Sequence, residues 1–162
     1  MQRRLVLMRH AKSSWANSLL SDHDRPLNDR GQREAPVMGA RLVEAGWVPQ
    51  VVVSSDSQRT RETWEGLCEH LPADLEPTFT GALYLARPPA VQQALRGLDD
   101  AVETVMLLGH NPGFSMAVHW LSGVEVDLKT AHAALLTIDA PDWAAAAKAA
   151  RGWTLVDVLT PH

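Results

Sequence analysis

The sequence predicts a single α/β domain, a three-layer α/β/α sandwich with a mostly parallel central sheet of about five or six strands. Three observations predict it. Short runs that are apolar throughout (LVLM at 5–8, VVV at 51–53, TVMLL at 104–108) read as strands buried on both faces. Segments with helical spacing alternate with them. Each run is followed at once by polar and charged residues, where open α/β sheets gather their ligands. The 162 residues suit one domain spanning 1–162, and no repeat or linker interrupts them.

Residues 3–8 form the first strand, and residues 9–28 are irregular, with Asp22, Asp24, Pro26 and Asn28 as turn formers. Asn28 caps a helix in which Ala35, Met38, Leu42 and Val43 recur at helical spacing, and Gly46 stops it. Residues 50–54 are a second strand, and 57–71 a helix with Trp64, Leu67 and Leu71 on one side. Residues 75–80 make a weaker strand, and Pro88 and Pro89 open a helix running to about Leu98. Strand 104–108 leads into Gly109-His110-Asn111-Pro112-Gly113 and a helix ending near Gly123. Residues 132–139 and 153–159 read as further strands, with the alanine run at 144–150 between them as a surface helix.

A formal net charge of −4 argues against non-specific nucleic-acid or anionic-membrane binding, which needs a basic face. No window is long and apolar enough for a membrane span or a signal peptide. The single cysteine, Cys68, forms no internal disulfide, which fits a reducing compartment, and a cytoplasmic protein is expected. Cys68 has Asp74 rather than arginine six positions on, which speaks against a cysteine-nucleophile phosphatase.

The chemistry sits after the strands. Arg9, His10, Lys12 and Ser13 follow the first, Ser54, Ser55, Arg59 and Arg61 the second, and His110 and Asn111 the strand at 104–108. If these strands are parallel neighbours, two imidazoles and two guanidinium groups converge. Arginine forks match phosphate oxygens bidentately. Phosphoryl transfer is mostly positioning plus cationic stabilisation. A neutral imidazole is a competent nucleophile towards phosphorus once its other nitrogen donates to a fixed acceptor, for which a backbone carbonyl in a tight loop suffices. A protonated second histidine would add positive charge. His23, His70, His119, His132 and His162 lack paired ligand spacing, so no metal site and no cofactor is expected, and no glycine-rich nucleotide loop is present.

Four segments in order, LMRHAKSSW, RPLNDRGQREA, VVVSSDSQRTRET and LLGHNPGFS, resemble the histidine phosphatase superfamily with its phosphoglycerate mutase-like fold. The short chain, the His10-Ala11 pair and the GHNPG run look most like the small SixA-type phosphohistidine phosphatases. The resemblance implies a metal-independent phosphatase with His10 as the phosphorylated nucleophile, Arg9 and Arg59 on the phosphoryl oxygens, and His110 completing the pocket. It puts Ser13 at a phosphate-contacting position and Arg25 in a loop-bracing role.

The sequence departs from the family pattern in three places. Ala11 replaces a common glycine, and Asp56 replaces a common proline and is expected to cap the following helix. Many relatives carry a carboxylate shortly before a Leu-Tyr pair, whereas TGALYLA at 80–86 has Gly81 and Ala82 there. An alkoxide leaving group needs a proton donor, worth roughly 10²–10⁴-fold, more than an imidazole does. Asp22, His23 or Asp24 could supply one. The absence favours phosphohistidine on a protein as substrate, and so does a chain with little length for a lid. A small-molecule phosphomonoesterase is the alternative within the enzyme class, a non-catalytic phosphate- or phosphoprotein-binding module the alternative outside it.

Overall fold

The computed structural model describes residues 1–162. Six strands, β1 (Gln2–Arg9), β2 (Val51–Ser55), β3 (Pro77–Thr80), β4 (Thr104–Gly109), β5 (Ala133–Asp139) and β6 (Thr154–Leu159), form one sheet in the order β3-β2-β4-β1-β5-β6. The first four run parallel, while β5 and β6 add antiparallel at the β1 edge. The sheet is thus mostly parallel by pairing, and its parallel half carries all three strand tips singled out above.

Five helices complete the layers: α1 (Asp29–Ala45), α2 (Gln58–Leu67), α3 (Pro88–Arg96), α4 (Gly113–Ser122) and α5 (Trp143–Ala147). Successive side chains of a strand point to opposite faces. Leu5 and Leu7 of β1 therefore join Val91, Leu95, Phe114 and Trp143 from the α3, α4 and α5 side. Val6 and Met8 join Met38, Leu42, Trp64 and Leu67 from the α1 and α2 side. These four β1 residues are fully buried, so the strand is apolar throughout.

Local chemistry sets the helix ends. The Asn28 side chain accepts from the Gly31 N–H at 2.9 Å, and Gly46 closes α1 at φ 75°. Gly31 also lets α1 approach the loop after β1, because a Cβ there would lie 2.2 Å from the Lys12 carbonyl oxygen. Three details differ from the sequence expectations. The helix expected over 57–71 is α-helical only to Leu67 and closes with a 3₁₀ turn at Cys68–His70. Ser57, not Asp56, caps α2, its hydroxyl accepting from the Thr60 N–H, while Asp56 pairs with His23. The alanine run is helical only in part: α5 spans Trp143–Ala147 and buries Trp143, Ala146 and Ala147 while Ala144 stays exposed. The Trp143 indole N–H donates to the Val102 carbonyl at 2.8 Å and draws the segment inward.

Candidate active site

The sheet order brings the three tips together. β4 lies between β1 and β2, and Arg9 pairs in register with Gly109, so His10 and His110 are the next residues on adjacent strands. Their ring centroids lie 5.3 Å apart. Ser55 ends β2 on the other side of β4, and Arg59 sits in the first turn of α2. Arg9, His10, Ser13, Arg59 and His110 all line one hollow of about 290 Å³. A larger hollow of about 700 Å³ lies over α4 and holds His119 and Arg151, but no second imidazole or guanidinium.

Backbone contacts fix His10. Its N–H donates to the Gly109 carbonyl at 3.0 Å, and its carbonyl accepts from the Ala131 N–H at 2.9 Å. Its Nδ1 lies 2.6 Å from the Ala11 carbonyl oxygen, which can only accept. Nδ1 therefore carries the proton, and Nε2 presents a lone pair. Arg59 Nε points at that lone pair from 3.3 Å. The Ala11 N–H donates to the Thr63 hydroxyl at 3.0 Å, and that hydroxyl donates to the Arg59 carbonyl at 2.7 Å. The loop bearing His10 is thereby tied to the helix bearing Arg59.

His110 has the reverse tautomer. Arg59 Nη2 donates towards its Nδ1 at 3.3 Å, so Nε2 donates to the Ser55 hydroxyl at 2.8 Å. Burial pushes both imidazoles down to about 3. For His10 the Ala11 hydrogen bond opposes this, and the charges of Arg59 and Arg9 reinforce it. For His110 the neighbouring His10 and Arg59 act in the same direction as burial. Both rings are neutral here, so the second histidine is not the extra cation that the sequence allowed for.

Arg9 donates through Nη1 to the Leu128 carbonyl at 3.1 Å, and its Nε is buried without a partner. Ser13 lines the hollow, but its hydroxyl accepts from Arg25 Nη1 at 2.7 Å. Arg25 also grips the Asp22 carboxylate through Nε and Nη2 and stacks 3.5 Å over the Trp15 ring, which is the loop-bracing role expected of it. Lys12 and Arg61 are exposed, Arg61 lying over Phe79.

The chain resembles known proteins along its whole length. The family described as histidine phosphatase superfamily (branch 1) matches residues 5–82. An uncharacterized chloroplastic protein of Arabidopsis thaliana is 36% identical over 170 residues, covering 98% of this chain and 78% of its own. The chain belongs to the histidine phosphatase superfamily. A candidate phosphohistidine phosphatase SixA from Nakamurella multipartitia superposes with a TM-score of 0.86 at 26% identity, covering 99% of this chain and 97% of its own. The protein histidine phosphatase SixA complexed with tungstate shares the fold at a TM-score of 0.83 and 22% identity, covering 98% of this chain and 97% of its own. The fold is phosphoglycerate mutase-like, and the SixA branch is its place in the superfamily. The protein is a histidine-nucleophile phosphatase, a hydrolase whose substrate is phosphorylated.

For this phosphatase, sequence reasoning missed Tyr84 altogether and named Ser55 and Asp22 without the roles they have here. Tyr84 stands edge-on to His110 at 5.4 Å and donates its hydroxyl to Asp22. Ser55 accepts from His110 Nε2 and so supports the tautomer that Arg59 dictates. Asp22 reaches Arg59 Nη2 at 3.0 Å. Tyr84 lies inside TGALYLA, where a missing carboxylate drew the attention, and the Ser-Ser pair after a buried strand was the available signal for Ser55.

Proposed function

We propose that this enzyme removes the phosphoryl group from phosphohistidine on a protein, in two metal-independent steps through His10. The observation that carries the proposal is the His10 tautomer: Nδ1 donates to the Ala11 carbonyl, which leaves the Nε2 lone pair in the hollow beside Arg59. In the first step Nε2 attacks phosphorus and the P–N bond to the substrate imidazole breaks, with solvent protonating the departing ring. In the second, water attacks phosphorus, the P–Nε2 bond breaks, and inorganic phosphate leaves. Arg9 and Arg59 supply the positive charge for the outer oxygens, and His110 and Ser13 complete the pocket. Each well-placed donor of this kind lowers the barrier by about 3 kcal/mol.

Two features favour a protein-borne phosphoramidate over a sugar phosphate. The one carboxylate lining the hollow, Asp22, is held ionised and so offers no proton to an alkoxide. Around the mouth, Trp15 is 73% and Leu85 52% exposed, apolar surface of the kind a protein partner covers. The lone Cys68 thiol suits a reducing compartment such as the cytoplasm. No helix is long and apolar enough to cross a membrane.

The test is phosphate release from a phosphohistidine-bearing protein and from p-nitrophenyl phosphate, with and without EDTA, together with quenched-flow trapping. The wild type turns over the protein substrate faster, ignores EDTA and yields acid-labile, base-stable phosphate on the enzyme, whereas His10→Ala traps none. Faster turnover of the small ester overturns the substrate class, loss of activity in EDTA overturns metal independence, and a phosphoenzyme on His10→Ala overturns the nucleophile.

A further inference from the structure

Loop 14–28 holds an anion of its own in the hollow. Asp22 Oδ1 accepts from Arg25 Nε at 3.2 Å and Nη2 at 3.1 Å. Oδ2 accepts from Arg59 Nη2 at 3.0 Å and from the Tyr84 hydroxyl. The Asp22 backbone carbonyl takes Arg59 Nη1 at 2.6 Å. Arg59 thereby has every nitrogen committed: Nε to His10, Nη1 to Asp22, and Nη2 shared between Asp22 and His110. One Nη1 hydrogen stays free, so a phosphoryl group gripped by both arms of this fork displaces Asp22 from Nη2.

We infer that Asp22 is the resident counter-anion of the phosphoryl seat, so that substrate entry and phosphate departure are exchanges of one anion for another. The inference rests on the functional reading above. Burial pushes the Asp22 carboxyl up, but the hydrogen bonds from Tyr84 and Arg59 and the Arg59 charge prevail and hold it at about 2, so it is an anion throughout the physiological range. The side chain is still 42% exposed, and residues 15–22 are all exposed, with Leu19 at 93%. Such a segment has few buried apolar contacts to break when it lifts. Its far end is pinned by His23, whose Nε2 lies 2.8 Å from Asp56 Oδ1 and whose ring stands edge-on to Tyr84 at 4.8 Å. The loop can therefore release Asp22 from Arg59 while the His23–Asp56 pair keeps it in register.

Exchange has a kinetic use. A hollow lined by Arg9, Arg25 and Arg59 would hold free phosphate tightly and slow turnover through its own product. A tethered carboxylate competes at high local concentration, weakens every incoming anion, and helps eject phosphate at the end of the cycle. The expected effect is set by partly exposed ion pairs, which hold Asp22 with a strength equivalent to about a tenfold change in anion affinity.

The experiment is calorimetric titration of inorganic phosphate into the wild type, Asp22→Asn, Tyr84→Phe and Asp24→Asn, with thermal melts confirming that each is folded. Asp22→Asn binds phosphate about tenfold tighter and is more strongly inhibited by product in steady state. Tyr84→Phe, which only loosens Asp22, shows a smaller gain of the same sign and serves if Asp22→Asn fails to fold. Asp24→Asn removes the same charge from the same turn without touching Arg59, and it binds as the wild type does. Equal or weaker phosphate binding by Asp22→Asn overturns the inference, as does an equal gain from Asp24→Asn, which would make the effect one of general field. Failure of all four proteins to bind phosphate sinks instead the reading of the hollow as a phosphoryl site.

Discussion

Neutral imidazoles at His10 and His110 leave a measurable trace in stability. In the folded protein both rings resist protonation until about pH 3. In the unfolded chain a histidine titrates near 6.5. The unfolded state therefore binds more protons between these limits, and stability falls as pH drops through that window. At about pH 5 an unfolded histidine is almost fully protonated and a folded one here is not, a difference of about 2 kcal/mol per ring, or about 4 kcal/mol for the pair, relative to about pH 8. Asp22 acts in the same direction, since its carboxyl is held low, but its contribution is lost only below about pH 4, outside this comparison. The assay is urea unfolding by circular dichroism at the two pH values, in buffers free of phosphate and sulfate. The wild type is compared with the His10→Asn, His110→Asn double variant. The rest of the chain is common to both proteins, so its pH dependence cancels. The wild type is expected to lose about 4 kcal/mol more than the variant on acidification. Matching pH dependences would refute the neutral, desolvated pair and remove the basis for a nucleophile at His10.

Two further outcomes follow from the geometry. Arg59→Lys keeps the charge but loses the fork that spans His10, Asp22 and His110, so kcat/KM should drop about 10²- to 10³-fold, and a loss under tenfold would show that charge alone suffices. Gly31→Ala drives a Cβ to 2.2 Å from the Lys12 carbonyl oxygen, where only backbone movement relieves it, so denaturant unfolding should show a loss of about 2 kcal/mol together with reduced turnover, and an unchanged midpoint would refute the close packing of α1 on the His10 loop.

What could be read in the sequence divides along a physical line. Strands β1, β2 and β4 were legible because burial on both faces forces continuous apolar runs, and the residues after them were legible because arginine and histidine at the end of an apolar strand need polar partners there. Spatial convergence was an assumption until the order β2-β4-β1 set His10 beside His110, since strand order depends on crossovers that no local signal encodes. The antiparallel edge was equally silent: β5 and β6 have strand patterns, but a strand pattern does not encode the direction in which it pairs.

The pairing of Tyr84 with Asp22 was hidden for a different reason. Each is an ordinary loop residue by itself, and they act only as a pair across 62 positions of chain. TGALYLA offers Gly81 and Ala82 in place of a carboxylate, and Asp22 stands in the sequence only as one of three possible proton donors. The structure supplies a carboxylate to that tyrosine from the opposite wall, carried by loop 14–28. Loop 14–28 carries two carboxylates, and of these Asp22 alone reaches the guanidinium groups of Arg25 and Arg59 at the hollow.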